Sequence, residues 1–141
     1  MSKVSKILTK KHPVGMVFGV FDGFHPGHQY LLAEAKKHCE KLIVVVAHPD
    51  IVLAFKQHAP HHDLATRMAQ VQAACATTCT VIAGDTAIGT WSALKKFRPD
   101  IVLLGYDQRR LGEELSALRV RCQIIEAYHP EKYKSSLLLN K

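Results

Sequence analysis

The 141-residue chain has no long hydrophobic run and no closely spaced cysteine pair of the CxxC type. Its longest purely apolar stretch is Leu42 to Ala47. This stretch is far too short to span a bilayer, which takes about 20 residues. Without CxxC motifs, we predict that the cysteines are reduced and mostly buried thiols. They are Cys39, Cys75, Cys79 and Cys122.

The amino-terminal segment lacks the small-residue cleavage site of a signal peptide. Its apolar part is broken by Gly15 and Gly19 and ends at Asp22. We therefore predict a mature, cytoplasmic protein. The composition, 48% hydrophobic and 22% charged, is that of one soluble domain with one core. We assign residues 1–141 to this domain and residues 1–12 to a basic lead-in.

Aromatic residues are scarce, at 7% of the chain, and they do not alternate with Arg or Lys along one segment. This argues against a dedicated nucleic-acid surface. The formal charge of +7 favours anionic partners, among which phosphorylated small molecules fit best. Apart from a small solvated cluster, the cations are scattered. That cluster comprises Lys3, Lys6, Lys10 and Lys11.

Apolar runs alternate with helix-like runs throughout the chain. Strands are predicted at Met16–Val20, Leu42–Ala47, Thr80–Ala83, Ile101–Leu104 and Cys122–Glu126. Helices are predicted at His28–Glu40, Asp63–Ala74, Ile88–Phe97 and Leu111–Leu118, with Asp63 as an N-cap and Ser135 capping a last helix. Apolar strands separated by helices indicate an α/β fold, a single doubly wound Rossmann-like domain. It would have a five-stranded parallel sheet with helices on both faces.

Ligands of such folds bind beyond the carboxyl ends of the strands. The first of these loops lies in the segment GVFDGFHPGH, residues 19–28. Its glycines Gly23 and Gly27 let the backbone approach a ligand, and His28 is expected to open a helix whose free N–H groups favour an anion. His25 and His28 can donate hydrogen bonds to phosphate oxygens, and one such donor is worth about 3–4 kcal/mol in catalysis.

The segment GVFDGFHPGH resembles the (S/T/V)FDxxHxGH signature of the cytidylyltransferase-like nucleotidyltransferases. Further matches, which extend the resemblance over nearly the whole chain, are Lys56 in the loop after the second strand, Arg67 in DLATRMAQV, Gly105 and Asp107 in LLGYDQ, and the serines Ser135 and Ser136. The resemblance implies that a nucleoside monophosphate moves from a nucleoside triphosphate, ATP or CTP, to a phosphorylated small-molecule acceptor. Pyrophosphate leaves, and no general base is needed because the acceptor phosphate is already ionised.

The resemblance also implies roles for single residues. His25 and His28 would hold the triphosphate around the scissile bond, while Lys56 and Arg67 would neutralise phosphate charge. Asp22 would orient the loop or help to place the Mg²⁺ that accompanies the triphosphate. The residues expected to bind the nucleotide are Gly19, Phe21, Asp22, Gly27, Gly105, Asp107, Ser135 and Ser136. No ligands for a resident metal are predicted.

Two motifs favour a particular acceptor. FDGFHPGHQYLL resembles the adenylyltransferase half of bacterial FAD synthases, and LGYDQ resembles the single-domain archaeal FAD synthases. They predict AMP transfer from ATP to FMN, and family members are frequently homodimers. Transfer from CTP to glycerol-3-phosphate or a similar phospho-alcohol is the alternative, although the terminal EKYKSSLLLNK lacks the usual RTxGISTT. A non-catalytic nucleotide-binding module is a second alternative, against which the retained His25 and His28 argue.

A second histidine-rich group, HAPHHD, spans residues 58–63. Its side chains lie close together in one loop, without the two separated halves of a typical zinc site. We therefore predict a solvated loop in which Asp63 caps the following helix, rather than a metal site.

Overall fold

A computed structural model describes residues 11–125 of the chain. Its strands are β1 (His12–Gly19), β2 (Cys39–Val46), β3 (Cys79–Ala83), β4 (Ile101–Leu104) and β5 (Cys122–Ile124). They pair in parallel in the order β3-β2-β1-β4-β5. The chain builds outwards from β1 in one direction and then crosses to β4, so the strand order reverses between β1 and β4.

Helices cover both faces of this sheet. They are α1 (Pro26–Lys36), α2 (Pro49–Lys56), α3 (Leu64–Cys75), α4 (Ser92–Phe97) and α5 (Arg109–Ala117). Because consecutive side chains along a strand point to opposite faces, neighbours enter different cores. Val17 joins the core formed with α1 and α3, whereas Met16 joins the core formed with α4 and α5. The predicted doubly wound α/β fold is thereby confirmed.

Helix α2 was not predicted, and it changes the position of Lys56. The predicted loop position of this lysine is wrong, because it is the last residue of α2. The signals for a helix start were present. Pro49 occupies the first turn, where its fixed φ suits a helix, and Asp50 lies near the positive end of the helix dipole. The segment His48-Pro49-Asp50 therefore begins a helix as well as ending β2.

The other helix boundaries follow from caps and backbone angles. Helix α4 begins at Ser92 rather than Ile88, because Gly89 and Trp91 have left-handed φ values of 83° and 54° that no helix contains. Asp63 caps α3 as predicted, its carboxylate accepting from the Thr66 N–H at 2.8 Å.

The prediction of four reduced thiols was wrong for one pair. Cys75 ends α3 and Cys79 begins β3, and the tight connection brings their Cα atoms to 5.7 Å, where they form a disulfide. Cys39 is a buried free thiol and Cys122 is a partly buried one.

Some of the predictions lie outside the described residues. They concern Ser135, Ser136, the helix after them, Glu126, and Lys3, Lys6 and Lys10 of the basic cluster. Within residues 11–125, no helix combines the length and the apolar character needed to cross a membrane.

Candidate active site

A cleft of about 1020 Å³ opens beyond the carboxyl ends of β1, β2, β3 and β4. It lies where the strand order reverses, the usual ligand position in open α/β sheets. Eight of the predicted site residues line it. They are Gly19, Phe21, Asp22, His25, His28, Lys56, Gly105 and Asp107.

His25 and His28 hold each other at the start of α1. His25 is the N-cap residue, and its Nδ1 accepts a hydrogen bond from the Gly27 N–H at 3.1 Å. The Nδ1 of His28 accepts in turn from the His25 N–H at 3.3 Å. The two rings stack with their centroids 3.7 Å apart. We call these two residues the histidine pair.

This arrangement determines which nitrogen of each ring carries the proton. Because both Nδ1 atoms accept a hydrogen bond, both neutral rings bear their hydrogen on Nε2. Burial, followed by the positive charges of His25 and Lys56, lowers the pKa of His28 to about 4. Burial also lowers the pKa of His25. At neutral pH the histidine pair therefore offers two uncharged N–H donors to the cleft.

Phe21 supports the histidine pair from the core side. Its ring is buried and meets the His28 ring edge-on, with centroids 5.3 Å apart. A Cβ at Gly19 would lie 2.7 Å from this ring, so the predicted glycine makes room for Phe21. The φ of Phe21 is 54°, a left-handed conformation that costs a non-glycine residue about 1–3 kcal/mol. Such strain is typical of a functional turn.

Gly27 does not line the cleft. It lies beneath the His25 ring, which a Cβ at this position would approach to 3.0 Å. Together with its N–H bond to His25, this placement makes Gly27 a support for the histidine pair.

Asp22 ties the histidine-rich loop to the first loop. Its carboxylate accepts from the His61 N–H at 2.7 Å and from the N–H of His62 at 3.0 Å, and the Nδ1 of His62 also lies 3.0 Å away. Burial alone would raise the pKa of Asp22, but the hydrogen bonds from His61 and His62 outweigh it and lower that pKa to about 2. The segment HAPHHD is therefore anchored to the site, not simply solvated. Within residues 11–125, no three His, Cys, Asp or Glu side chains are grouped so that they could hold a metal.

Arg67 lies behind the site and does not line the cleft. Its exposed fraction is 0%. The Nε donates to the His62 carbonyl at 2.9 Å, and Nη1 donates to the carbonyls of Val20 and Ala47 at 3.0 and 2.9 Å. Val20 and Ala47 directly follow β1 and β2, whereas His62 lies in the loop before α3. The placement disagrees with the expected contact with phosphate, because the guanidinium is used to join three backbone segments.

Gln108 is a site residue that the sequence analysis did not single out. Its Nε2 donates to the Phe18 carbonyl at 2.7 Å, and its Oε1 accepts from the Gly105 N–H at 2.8 Å. The side chain thus bridges β1 and β4 across the point where the strand order reverses. The position of Gln108 directly after the G-x-D motif is the sequence signal that could have identified it as a site residue.

Two cations of the cleft were also missed. Lys96 of α4 and Arg110 of α5 line it together with Lys56. The Arg110 guanidinium lies 5.0 Å from the centre of the Phe55 ring and so reaches from α5 to α2. Nothing in the sequence separates these residues from other surface cations, because only the fold brings their helices together.

The side of the cleft near β3 is apolar. Ile88 is 58% exposed there, although large apolar side chains are usually covered. Trp91 packs edge-on against Phe18, with ring centroids 5.9 Å apart. The lining side chains of this wall are Ile82, Ile88 and Trp91, and Phe55 adds apolar lining beside Arg110. They leave an apolar surface beside a polar centre, which suits a ligand with a planar ring and a phosphate.

Comparisons with known proteins agree over most of the chain. Residues 16–141 match a family model described as cytidylyltransferase-like. An FAD synthase from Thermococcus sibiricus is 32% identical over 95% of each chain, and one from Pyrococcus abyssi is 32% identical over 89% of each. The crystal structure of the lipopolysaccharide core biosynthesis protein from Thermoplasma volcanium aligns with a TM-score of 0.66 at 28% identity. It covers 83% of this chain and 97% of its own.

Proposed function

This chain belongs to the cytidylyltransferase-like family of nucleotidyltransferases, and we propose that it transfers AMP from ATP to FMN, forming FAD and pyrophosphate. The observation that carries the choice of FMN is the similarity to FAD synthases, which covers 95% of both chains for the relative from Thermococcus sibiricus. The apolar wall of the cleft supports it, because the flavin ring is a large planar surface that needs such cover.

The reaction requires little covalent help from the protein. An oxygen of the FMN phosphate attacks the α-phosphorus of ATP, and the bond from that phosphorus to the β-phosphate oxygen breaks. The electron pair of this bond leaves with pyrophosphate. Because the attacking phosphate is already ionised, no group has to remove a proton, and the protein contributes alignment and charge stabilisation.

The histidine pair is suited to stabilise the α-phosphate oxygens during this step. Its two Nε2–H groups are fixed by the hydrogen bonds at Nδ1 and by the stacking of the rings. A donor that needs no reorganisation favours the more charged transition state. Because the two imidazoles are uncharged, they also bind the pyrophosphate anion less tightly than two fixed cations would, so this product can leave more readily.

The remaining phosphate charge is assigned to the cations of the cleft. Lys56, Lys96 and Arg110 line it from three different helices. Mg²⁺ enters with the triphosphate as part of the substrate. Asp22 serves as a loop anchor in this proposal, because its carboxylate already accepts hydrogen bonds from His61 and His62.

The nucleoside of ATP is assigned to the side of β4. Gly105 and Asp107 line the cleft there, and a Cβ at Gly105 would lie 3.2 Å from the Asp107 carboxylate. The glycine lets this carboxylate fold back beside the backbone. The phosphate contacts of Ser135 and Ser136 stay predictions from the resemblance.

Pyrophosphate release with Mg²⁺ tests the proposal in two reactions, ATP with FMN and CTP with glycerol-3-phosphate. We expect release only with ATP and FMN, together with FAD detected by chromatography. Release only with CTP and glycerol-3-phosphate would contradict the choice of substrates. His28→Ala is the matched variant, and we expect it to lower kcat about 100- to 1,000-fold with an unchanged circular dichroism spectrum. Turnover at the wild-type rate would remove His28 from the mechanism.

A further inference from the structure

A third imidazole, that of His48, lines the cleft at the end of β2. His48 is the N-cap residue of α2, and its Nδ1 accepts from the Asp50 N–H at 3.1 Å. This hydrogen bond places the hydrogen of the neutral ring on Nε2. Within residues 11–125, that Nε2 has no hydrogen-bond partner, although the side chain is only 27% exposed.

His48 repeats the local structure of His25. Each residue precedes a proline, has an extended backbone and caps a helix through Nδ1. Both bonds, to Gly27 and to Asp50, are 3.1 Å long. The strands that lead to the two residues are neighbours, and the Ala47 N–H donates to the Gly19 carbonyl at 2.8 Å. The sheet thus presents two equivalent His-Pro helix starts side by side.

Capping alone does not account for a histidine at this position. Asp, Asn and Ser are the preferred N-cap residues, because a short side chain reaches the free N–H groups well. An imidazole adds something they lack, a second polar atom on the far side of the ring. His48 lines a cleft that also contains the histidine pair and Lys56.

We propose that the Nε2–H of His48 is a third hydrogen-bond donor to the phosphate oxygens of the bound substrates. The ligand chemistry is an ionised phosphate, supplied either by FMN or by the triphosphate of ATP. The inference rests on the proposed function, since it assumes nucleotidyl transfer in this cleft. His48 therefore binds substrate in addition to starting α2.

Two substitutions distinguish the helix-capping role of His48 from its proposed role as a hydrogen-bond donor to phosphate. His48→Asn keeps an oxygen that can accept from the Asp50 N–H, but it lacks the distant N–H. We expect the melting temperature of this variant to match the wild type and its kcat/KM to fall about 10- to 100-fold, the usual effect of losing a hydrogen bond to a charged group. His48→Ala removes both functions and should lower the melting temperature as well.

Binding measurements identify the phosphate. If His48 contacts the acceptor, His48→Asn weakens FMN binding and leaves riboflavin, which has no phosphate, unaffected. If it contacts the triphosphate, the variant weakens ATP binding and leaves adenosine, which has no phosphate, unaffected. Wild-type kcat/KM together with unchanged binding of FMN and ATP would overturn the proposal and leave His48 as a cap.

A control variant and the wild-type protein are measured in the same assays. His38→Asn makes the same substitution just before the amino-terminal end of β2, whereas His48 follows the carboxyl end of this strand. This variant should change neither substrate binding nor turnover. Whether the wild type forms FAD tests the proposed function. Binding of ATP and of adenosine can be compared without an acceptor. This comparison therefore still tests a contact between His48 and the triphosphate if the acceptor is not FMN.

Discussion

The chemistry of the cleft depends on single nitrogen atoms. In each of His25, His28 and His48, a backbone N–H occupies Nδ1 and leaves Nε2–H for a ligand. The backbone of the helix start therefore selects the tautomer of each ring. For His25 and His28 a backbone N–H takes the place of the acidic side chain that orients many active-site histidines. At His48 the Asp50 carboxylate also lies 3.7 Å from Nδ1.

The lowered pKa of His28 makes the stability of the protein depend on pH. Its pKa is about 4 in the folded protein and 6.5 at its ordinary value, so the unfolded chain binds a proton first as the pH falls. The stabilising contribution is present above about pH 6.5 and is lost progressively as the pH falls to about 4. We expect the free energy of unfolding to decrease over this range, measured by urea denaturation.

His28→Asn is the matched variant for this measurement, because Asn does not titrate. Its free energy of unfolding should depend less steeply on pH between 6.5 and 4 than that of the wild type. The histidines outside the histidine pair are the same in both proteins, so the difference reports on His28 and on its coupling to His25. Two parallel pH profiles would contradict the lowered pKa.

Arg67 connects three backbone segments that lie between the secondary-structure elements. Its guanidinium joins the residue after β1, the residue after β2 and the loop before α3. Asp22 ties the same loop to the first one. The positions of the histidine pair and of His48 are thereby fixed relative to each other.

Removing this connection should affect stability more than substrate binding. We expect Arg67→Met to lower the free energy of unfolding by about 3 kcal/mol, because three partly buried carbonyls lose a charged donor while the apolar volume is kept. Guanidinium denaturation measures this loss. A variant with wild-type stability and a raised KM for ATP would instead favour the phosphate contact that the sequence analysis assigned to Arg67.

Local signals explain what could be predicted at this scale. The strand Ile101–Leu104 and the cap at Asp63 agree with the sequence analysis, because an apolar run and a capping side chain are properties of a short segment. Helix α2 was missed because His48-Pro49-Asp50 was interpreted as the end of a strand. The burial of Arg67 could not be predicted, since its partners Val20 and Ala47 are distant in the sequence.

At the scale of the whole molecule, the sheet order brings together loops that are far apart in the chain. The β1 loop supplies the histidine pair, and the β4 loop supplies Gly105, Asp107 and Gln108. The parallel order of alternating strands and helices was enough to predict that these loops meet. The helix faces that add Lys96 and Arg110 depend on packing angles that the pattern does not contain. The predicted homodimer stays a prediction.

The net charge of the chain has a kinetic consequence. With a formal charge of +7 and substrates that are both polyanions, long-range attraction should speed their encounter with the cleft. We expect kcat/KM for ATP to fall as NaCl is raised from about 0.05 to 0.5 M, because the screening length shortens below about 10 Å. A stopped-flow or steady-state salt series measures this. A flat series would show that the cations act only by direct contact.

At each His-Pro helix start, helix capping and phosphate binding favour different residues at the histidine position. An aspartate at position 25 or 48 would cap its helix better and complement the helix dipole, yet it would bring a negative charge against incoming phosphates. A library of variants selected for heat resistance should therefore enrich acidic residues at these two positions, and a library selected for turnover should remove them. A more heat-resistant protein would therefore be a slower enzyme when the change lies at the N-cap residue of either helix.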